Sequence, residues 1–344
     1  MNRELQNMSE ESLQNLEEIV ETELLTVEDI RERLDTTEKG KIRQSIQNCK
    51  YVLEHDPCLK GAICRNEMTC QIDIMKKMPW KRRGVHMTDT DMNNLALYLE
   101  KNYGLTSDRV IAKAIDIVAN ENSFHPILEY LENLKWDGIP RIQHMLTHFF
   151  GAEDIQYTGE VMKMHMMGAI RRLYEPGAKY DIMLCLVGGQ GTGKSTFFRY
   201  LAIKDEWFTD DMKRIDDKKV YEYLQGHWIV EMSEMNAVAN AKSIEETKSF
   251  LSRQKDIYRI PYERRAEDRY RQCVFCGTSN DLNFLPFDRT GNRRFAPVRV
   301  FPKKAETTIY ENEEESRAYL IQAWAEAMEI YRGGNYLLTF STEM

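Results

Sequence analysis

The chain has 344 residues, 42% of them apolar, and a formal charge of −8, enough for one large core or for two to three domains. No apolar run approaches membrane-span length, and the opening Met1-Asn-Arg-Glu-Leu-Gln is no signal peptide, so a membrane partner is excluded. Seven scattered cysteines, an odd number, read as free thiols and predict a cytoplasmic location.

Residues 1–40 carry twelve Asp/Glu against four Lys/Arg and so hold the whole of the net charge. They predict an acidic helical appendage, with Leu13, Leu16, Ile19 and Val20 at near-helical spacing and a capping box at Thr26-Val-Glu-Asp29. The segment reads as a helix pair for binding a partner or, equally on composition, as a loosely docked or disordered tail. Residues 41–150 predict a small, mostly helical domain with a winged helix as the candidate type. They contain helices over 91–102 and 107–120 and one weak strand at Gln71-Ile-Asp-Ile-Met75. His55, Cys58, Cys64 and Cys70 have no paired-knuckle spacing and read as core and surface groups.

Residues 151–180 predict a helical linker, Gly159–Tyr174, ended by Glu-Pro-Gly, with Met162, Met164, Met166 and Met167 as packing residues. Residues 181–300 predict an α/β core built on a parallel sheet. The apolar run Asp181–Val187 leads into Gly188-Gly189-Gln190-Gly191-Thr192-Gly193-Lys194-Ser195-Thr196, and a helix follows from Lys194. Strand, G-x-x-x-x-G-K-[ST] and helix, in that order, form the phosphate-binding P-loop. Backbone N–H groups converge on phosphate, Lys194 reaches the β- and γ-phosphates, and the Ser195 hydroxyl is a Mg²⁺ ligand. ATP with Mg²⁺ is the expected ligand pair. The loop alone does not distinguish a small-molecule kinase from other ATP users.

A second acidic site is expected at a strand end. Trp228-Ile-Val-Glu231-Met-Ser-Glu234 supplies it, with Glu231 assigned to the metal and Glu234 to the attacking water, although these roles are exchangeable. The next strand, Gln272–Gly277, runs into Thr278-Ser-Asn280, where Asn280 is placed to hold the water and sense the γ-phosphate. Cys273 and Cys276 on that strand read as core. Arg293 and Arg294, beside a glycine turn, are candidates to neutralise charge on a transferred phosphate. Residues 251–300 hold eleven Lys/Arg against six acids. Within them, 256–271 reads as a β-hairpin whose Arg259, Arg264, Arg265, Arg269 and Arg271 interleave with tyrosines, a pattern suited to phosphates and stacked bases. Tyrosines that pack and arginines that pair with nearby acids are the alternative. Residues 301–344 predict a final helix, Ala318–Tyr331, in a C-terminal segment that stops without a clear end.

Several phrases together resemble the virulence-associated E family of phage and mobile-element P-loop ATPases. They are Leu134-Lys-Trp-Asp-Gly-Ile-Pro-Arg141, the P-loop, Trp228–Met235, Lys248–Arg253, Tyr258–Tyr262, Gly277–Asn280 and Thr290–Phe295. The family is similar to superfamily 3 helicases within the AAA+ class. The resemblance implies a replicative DNA helicase working as a ring, a hexamer, on single-stranded or forked DNA, with a replication partner at the acidic N-terminal segment. The hairpin then corresponds to a pore hairpin, and Arg293 or Arg294 reaches a neighbouring subunit's site. A replication initiator whose ATPase controls assembly stands as the alternative of another class. Glu231-x-x-Glu234 departs from the usual adjacent acids.

Overall fold

The computed structural model describes residues 25–212, 220–233, 241–258, 267–280 and 292–340. Residues 1–24, Glu234, Arg259, Arg264 and Arg265, all singled out in the sequence, lie outside the described residues. The chain divides into two compact units, one ending at Phe124 and the other starting at His125.

The first unit contains α1 (Val27–Glu32), α2 (Ile46–His55), β1 (Ile63–Asn66), β2 (Gln71–Ile74), α3 (Asp89–Tyr103) and α4 (Asp108–Glu121). Thr26 and Asp29 form the expected reciprocal capping box at α1. Ile30 and Leu34 are buried in the same core as Val52, Leu99 and Ile115. Residues 25–40 are therefore part of this unit and not an appendage, because their two apolar side chains complete its core. Strand β2 has an antiparallel partner that the sequence did not advertise: Ile63 pairs with Ile74 and Asn66 with Gln71. Beneath the helices, Tyr98 and Tyr103 both donate to Asp56 Oδ2, at 2.9 and 2.6 Å. A carboxylate this deeply buried needs such donors.

The second unit begins with α5 (Pro126–Glu132), α6 (Met145–Phe150) and α7 (Gln156–Tyr174). It continues through β3 (Met183–Val187), α8 (Lys194–Leu201), β4 (Phe208–Thr209), α9 (Val220–Leu224), β5 (Ile229–Met232) and α10 (Ala241–Leu251). Then come β6 (Lys255–Tyr258), β7 (Glu267–Tyr270), β8 (Val274–Ser279), β9 (Phe295–Arg299) and α11 (Glu313–Gly333). The expected boundary at residue 150 is thus displaced to 124/125. The physical reason is aromatic: Phe149 and Phe150 pack against Phe197 of α8, with ring centroids 6.1 and 5.1 Å apart.

The α/β core is a five-stranded sheet in the order β4-β5-β8-β3-β9, and every pairing is parallel. All five residues of β3 are buried, as expected for a strand covered on both faces. Parallel pairing brings the carboxyl ends of β3, β5 and β8 to one edge, with Val187 opposite Ser279 and Glu231 opposite Cys276. In open α/β sheets that edge is where ligands bind.

Helix α7 is no linker. It is buried nearly all round, and its four methionines are at most 1% exposed. Its Arg172 guanidinium donates to the carbonyls of Ala178, Cys273 and Tyr180, at 3.1, 2.7 and 2.6 Å. This ties the end of α7 to the segments entering β3 and β8. On α11, Trp324 packs on Trp228 at 4.4 Å, fixing that helix against the start of β5. Cys185, Cys273 and Cys276 are buried thiols in the core.

Candidate active site

The loop between β3 and α8 lies at the carboxyl edge of the sheet and frames a cleft of about 590 Å³. Its tight course depends on glycine at two points. A Cβ on Gly188 would stand 2.3 Å from Val300 Cγ2. A Cβ on Gly193, which has a φ of +83°, would stand 2.5 Å from Ile309 Cγ2. Gly193 is also the residue immediately before α8, so the first free N–H groups of that helix face the cleft.

Lys194 is 7% exposed. Its Nζ donates to the carbonyls of Gly188 and Gly189, both at 2.7 Å, and to Thr192 Oγ1 and Asn280 Oδ1, both at 3.3 Å. Burial lowers its pKa, and the nearby Glu231 charge partly opposes that. The ammonium is folded back on its own loop, within reach of anything that enters the cleft.

Glu231 is fully buried near the end of β5. Ser195 Oγ and Thr278 Oγ1 each donate to its Oε1 at 2.7 Å. Its second oxygen, Oε2, is buried and has no hydrogen-bond partner among the described residues. Burial raises the carboxyl pKa, while the Thr278 and Ser195 hydrogen bonds act to lower it. A shielded carboxylate oxygen with an idle lone pair, beside a serine hydroxyl, is a hard-oxygen donor set suited to Mg²⁺.

Lys194, Ser195, Glu231 and Asn280 are therefore brought together. Gln190, Gly191, Thr192 and Gly193 line the same cleft. Thr196 faces away from Glu231 and donates to Tyr310 OH at 3.3 Å. Three lining residues were not singled out in the sequence. Ser233 follows β5, and Thr278 lies two residues before Asn280. Strand alternation puts residues 278 and 280 on one face, and that was the available signal. Tyr310 comes from the loop before α11 and packs 3.1 Å from the position of a Gly193 Cβ. Nothing local in the sequence marks it.

The two arginines past β8 differ. Arg294 Nε lies 3.0 Å from Asp181 Oδ2 and donates to Ser252 Oγ at 2.8 Å, so it is engaged inside its own chain. Arg293 is exposed and forms no ion pair among the described residues.

The hairpin forms as β6 and β7, with Lys255 opposite Tyr270 and Tyr258 opposite Glu267. Its tip, with Arg259, Arg264 and Arg265, lies outside the described residues. Lys255 pairs with Asp268, and Arg269 with Glu267 at 3.4 Å. Arg271 is not a surface charge. It is 3% exposed, binds Asp256 through two bonds of 2.6 and 3.0 Å, and lies over the Phe250 ring at 4.2 Å. Tyr270, by contrast, is 54% exposed.

The phrase Trp136–Arg141 is a built turn. The Arg141 guanidinium clasps the Asp137 carboxylate with bonds of 2.7 and 2.6 Å, and Trp136 Nε1 donates to Ile139 O. The Arg141 hydrogen bonds hold the Asp137 carboxyl down at about 2. The backbone N–H groups of Arg141 and Ile142 donate to Glu326 of α11, which docks the turn on that helix.

No described helix is long and apolar enough to cross a membrane. A family model described as a virulence-associated protein E-like domain matches residues 131–344. No curated protein matches the chain. Among solved structures, the chain is similar to the A form apo structure of the NrS-1 C-terminal region. The identity is 15% and the TM-score 0.48, with 77% of this chain and 65% of that one covered. A second apo structure of the same region, covering 305–718, gives 15% identity and a TM-score of 0.44, with 77% and 64% covered. The chain thus spans just under two thirds of the length of these structures.

Proposed function

Because the chain belongs to the virulence-associated protein E-like family, we propose that it is an ATP-dependent DNA helicase or translocase in the replication of a phage or other mobile element. The observation that carries this reading is the convergence of Lys194, Ser195, Glu231, Thr278 and Asn280 at the carboxyl edge of a parallel sheet. Lys194 exchanges its loop carbonyls for the β- and γ-phosphates of ATP, and the α8 N-terminus faces the same charge. Tyr310, beyond Gly193 and Thr196, offers its ring to the base. Ser195 and Glu231 would hold Mg²⁺, which when bound neutralises charge on the phosphate oxygens. Glu234 takes the proton of the attacking water, and Asn280 orients that water. Arg293 serves the site of a neighbouring subunit in a ring, and a hexamer is the expected size. Arg259, Arg264 and Arg265 of the hairpin, with Tyr270, grip single-stranded DNA.

The test is ATP hydrolysis with and without single-stranded DNA, alongside displacement of a strand from a fork. A helicase accelerates hydrolysis when DNA is added and separates the fork. Hydrolysis indifferent to DNA would instead support a kinase-like reading. DNA-stimulated hydrolysis with no strand displacement would support an initiator.

A further inference from the structure

Residues 75–88 of the first unit carry five lysines and arginines and no Asp or Glu, in a chain whose net charge is −8. The segment leaves β2 and returns beside it, where His86 bridges to Asp73. Exposure alternates along it. Lys77, Pro79, Lys81 and Arg83 are exposed, whereas Met78 is buried and Trp80 and Arg82 are half-buried. Over 77–83 this alternation gives the strap one face down and one face up, with bends at 79–80 and 84–85 turning its course.

The lower face is fastened. Trp80 Nε1 and Arg82 Nε both donate to Asp91 Oδ1, at 2.9 and 2.8 Å. The Arg82 guanidinium also donates to the carbonyls of Ile74, Val85 and His86, at 3.3, 3.1 and 3.3 Å. Asp91 is in turn locked to Thr88 by the capping box of α3. One ion pair therefore uses one of the five positive charges. Lys77, Lys81 and Arg83 pair with no carboxylate among the described residues. Lys81 and Arg83, two residues apart on an extended chain, project from points about 7 Å apart.

An ordinary solvated face mixes its signs. Here four positive charges, Lys76, Lys77, Lys81 and Arg83, have no carboxylate partner among the described residues, Lys76 donating only to the Lys60 carbonyl, and an anion spread over a similar length relieves their mutual repulsion. Both rings of the strap are engaged by carboxylates, Trp80 Nε1 on Asp91 and His86 Nδ1 on Asp73, so neither is a free stacking platform for unpaired bases. That separates this surface from the tyrosine-bearing hairpin. We propose that the strap of residues 75–88 is a docking surface for the phosphate backbone of duplex DNA, read without regard to sequence. It does not depend on the ATP reading of the second unit.

The test uses the full chain carrying Lys77→Ala, Lys81→Ala and Arg83→Ala, with binding to a short duplex oligonucleotide followed across a salt series. The slope of log K against log salt should become shallower by up to about 2.7, since each phosphate contact contributes about 0.9. Affinity at low salt should drop at least about tenfold. The same oligonucleotide as a single strand should lose less. Lys39→Ala, Lys41→Ala and Arg43→Ala removes equal charge from another exposed stretch of the same unit and should leave the slope in place. Thermal melting confirms that both variants fold. An unchanged slope in the strap variant, an equal loss in the comparison variant, or a loss confined to the single strand overturns the proposal.

Discussion

The cleft and the hairpin both carry charged residues, but they handle charge in opposite ways. In the cleft, the two charged groups, Lys194 and Glu231, are both buried. Lys194 rests on two carbonyls, and Glu231 takes two hydroxyl donors on one oxygen while the other is idle. In the hairpin, charges are many and most described ones cancel in pairs: Lys255 with Asp268, Arg269 with Glu267, Arg271 with Asp256. A tally of arginines therefore overstates the hairpin as a DNA surface and understates the cleft as a chemical one. What matters is whether a charge has been left without a local answer.

The largest effect expected from that contrast concerns the exposed Arg293 and the engaged Arg294. Arg293→Ala should lower ATP turnover by about 10³–10⁵-fold, and Lys194→Ala by at least about 10²–10³-fold, both without loss of fold. Mixing the two inactive proteins under conditions of proven subunit exchange should restore part of the activity. In mixed rings, some interfaces join an intact pocket to an intact Arg293. Arg294→Ala should not behave this way, since its Asp181 and Ser252 contacts lie within one chain. Full exchange with no recovery would place Arg293 outside any neighbouring site.

A second, intermediate effect tests the hairpin side. Arg271→Ala leaves Asp256 buried without its partner and should cost about 3–5 kcal/mol in denaturant unfolding. Arg264→Ala with Arg265→Ala should leave unfolding unchanged within about 0.5 kcal/mol. It should instead weaken single-stranded DNA binding and lessen its salt dependence. If Arg271→Ala proved neutral for stability and harmful to DNA binding, the division between paired and unanswered charge would fail.

The smallest effect is a pH dependence in the cleft. Burial raises the folded-state pKa of Glu231. The neutral acid is therefore favoured in the folded protein. The stability it contributes is present below the ordinary carboxylate pKa and is lost as pH rises through the raised value. Without nucleotide or cation, Glu231→Gln should gain on the wild type in thermal unfolding as pH rises through that window. The two proteins should converge in acid. A constant difference at every pH would mean that Glu231 ionises in the folded chain as it does in the unfolded one.

Much of the cleft was legible because its parts are local. A contiguous glycine loop between strand and helix, an acid at a strand end and an amide at another strand end each announce themselves within ten residues or so. The parallel sheet followed from the same alternation of strand and helix. Tyr310 was not legible, since only the packing of its loop against Gly193 brings it to the cleft. Arg271 was misleading for a related reason. In sequence it belongs to a basic run, and only the fold buries it between Asp256 and Phe250. The unit boundary moved because Phe149 and Phe150 read equally well as core of either neighbour until Phe197 claims them. Helix α7 read as a linker because its methionines show no polar face to orient it.

The order of strands in the sheet also has a consequence in time. Strand β3 pairs on one side with β8 and on the other with β9, so that Met183 finds Phe295 only 112 residues later. At a synthesis rate of roughly 5–20 residues per second, the chain takes roughly 6–22 s to travel from one to the other. For most of that interval, until β8 (Val274–Ser279) is made, an all-apolar strand and the glycine loop behind it exist without either neighbour. Nascent β3 is thus hydrophobic chain that waits unpaired for its sheet. A pause in translation after β3 has emerged and before β8 emerges would lengthen its exposure.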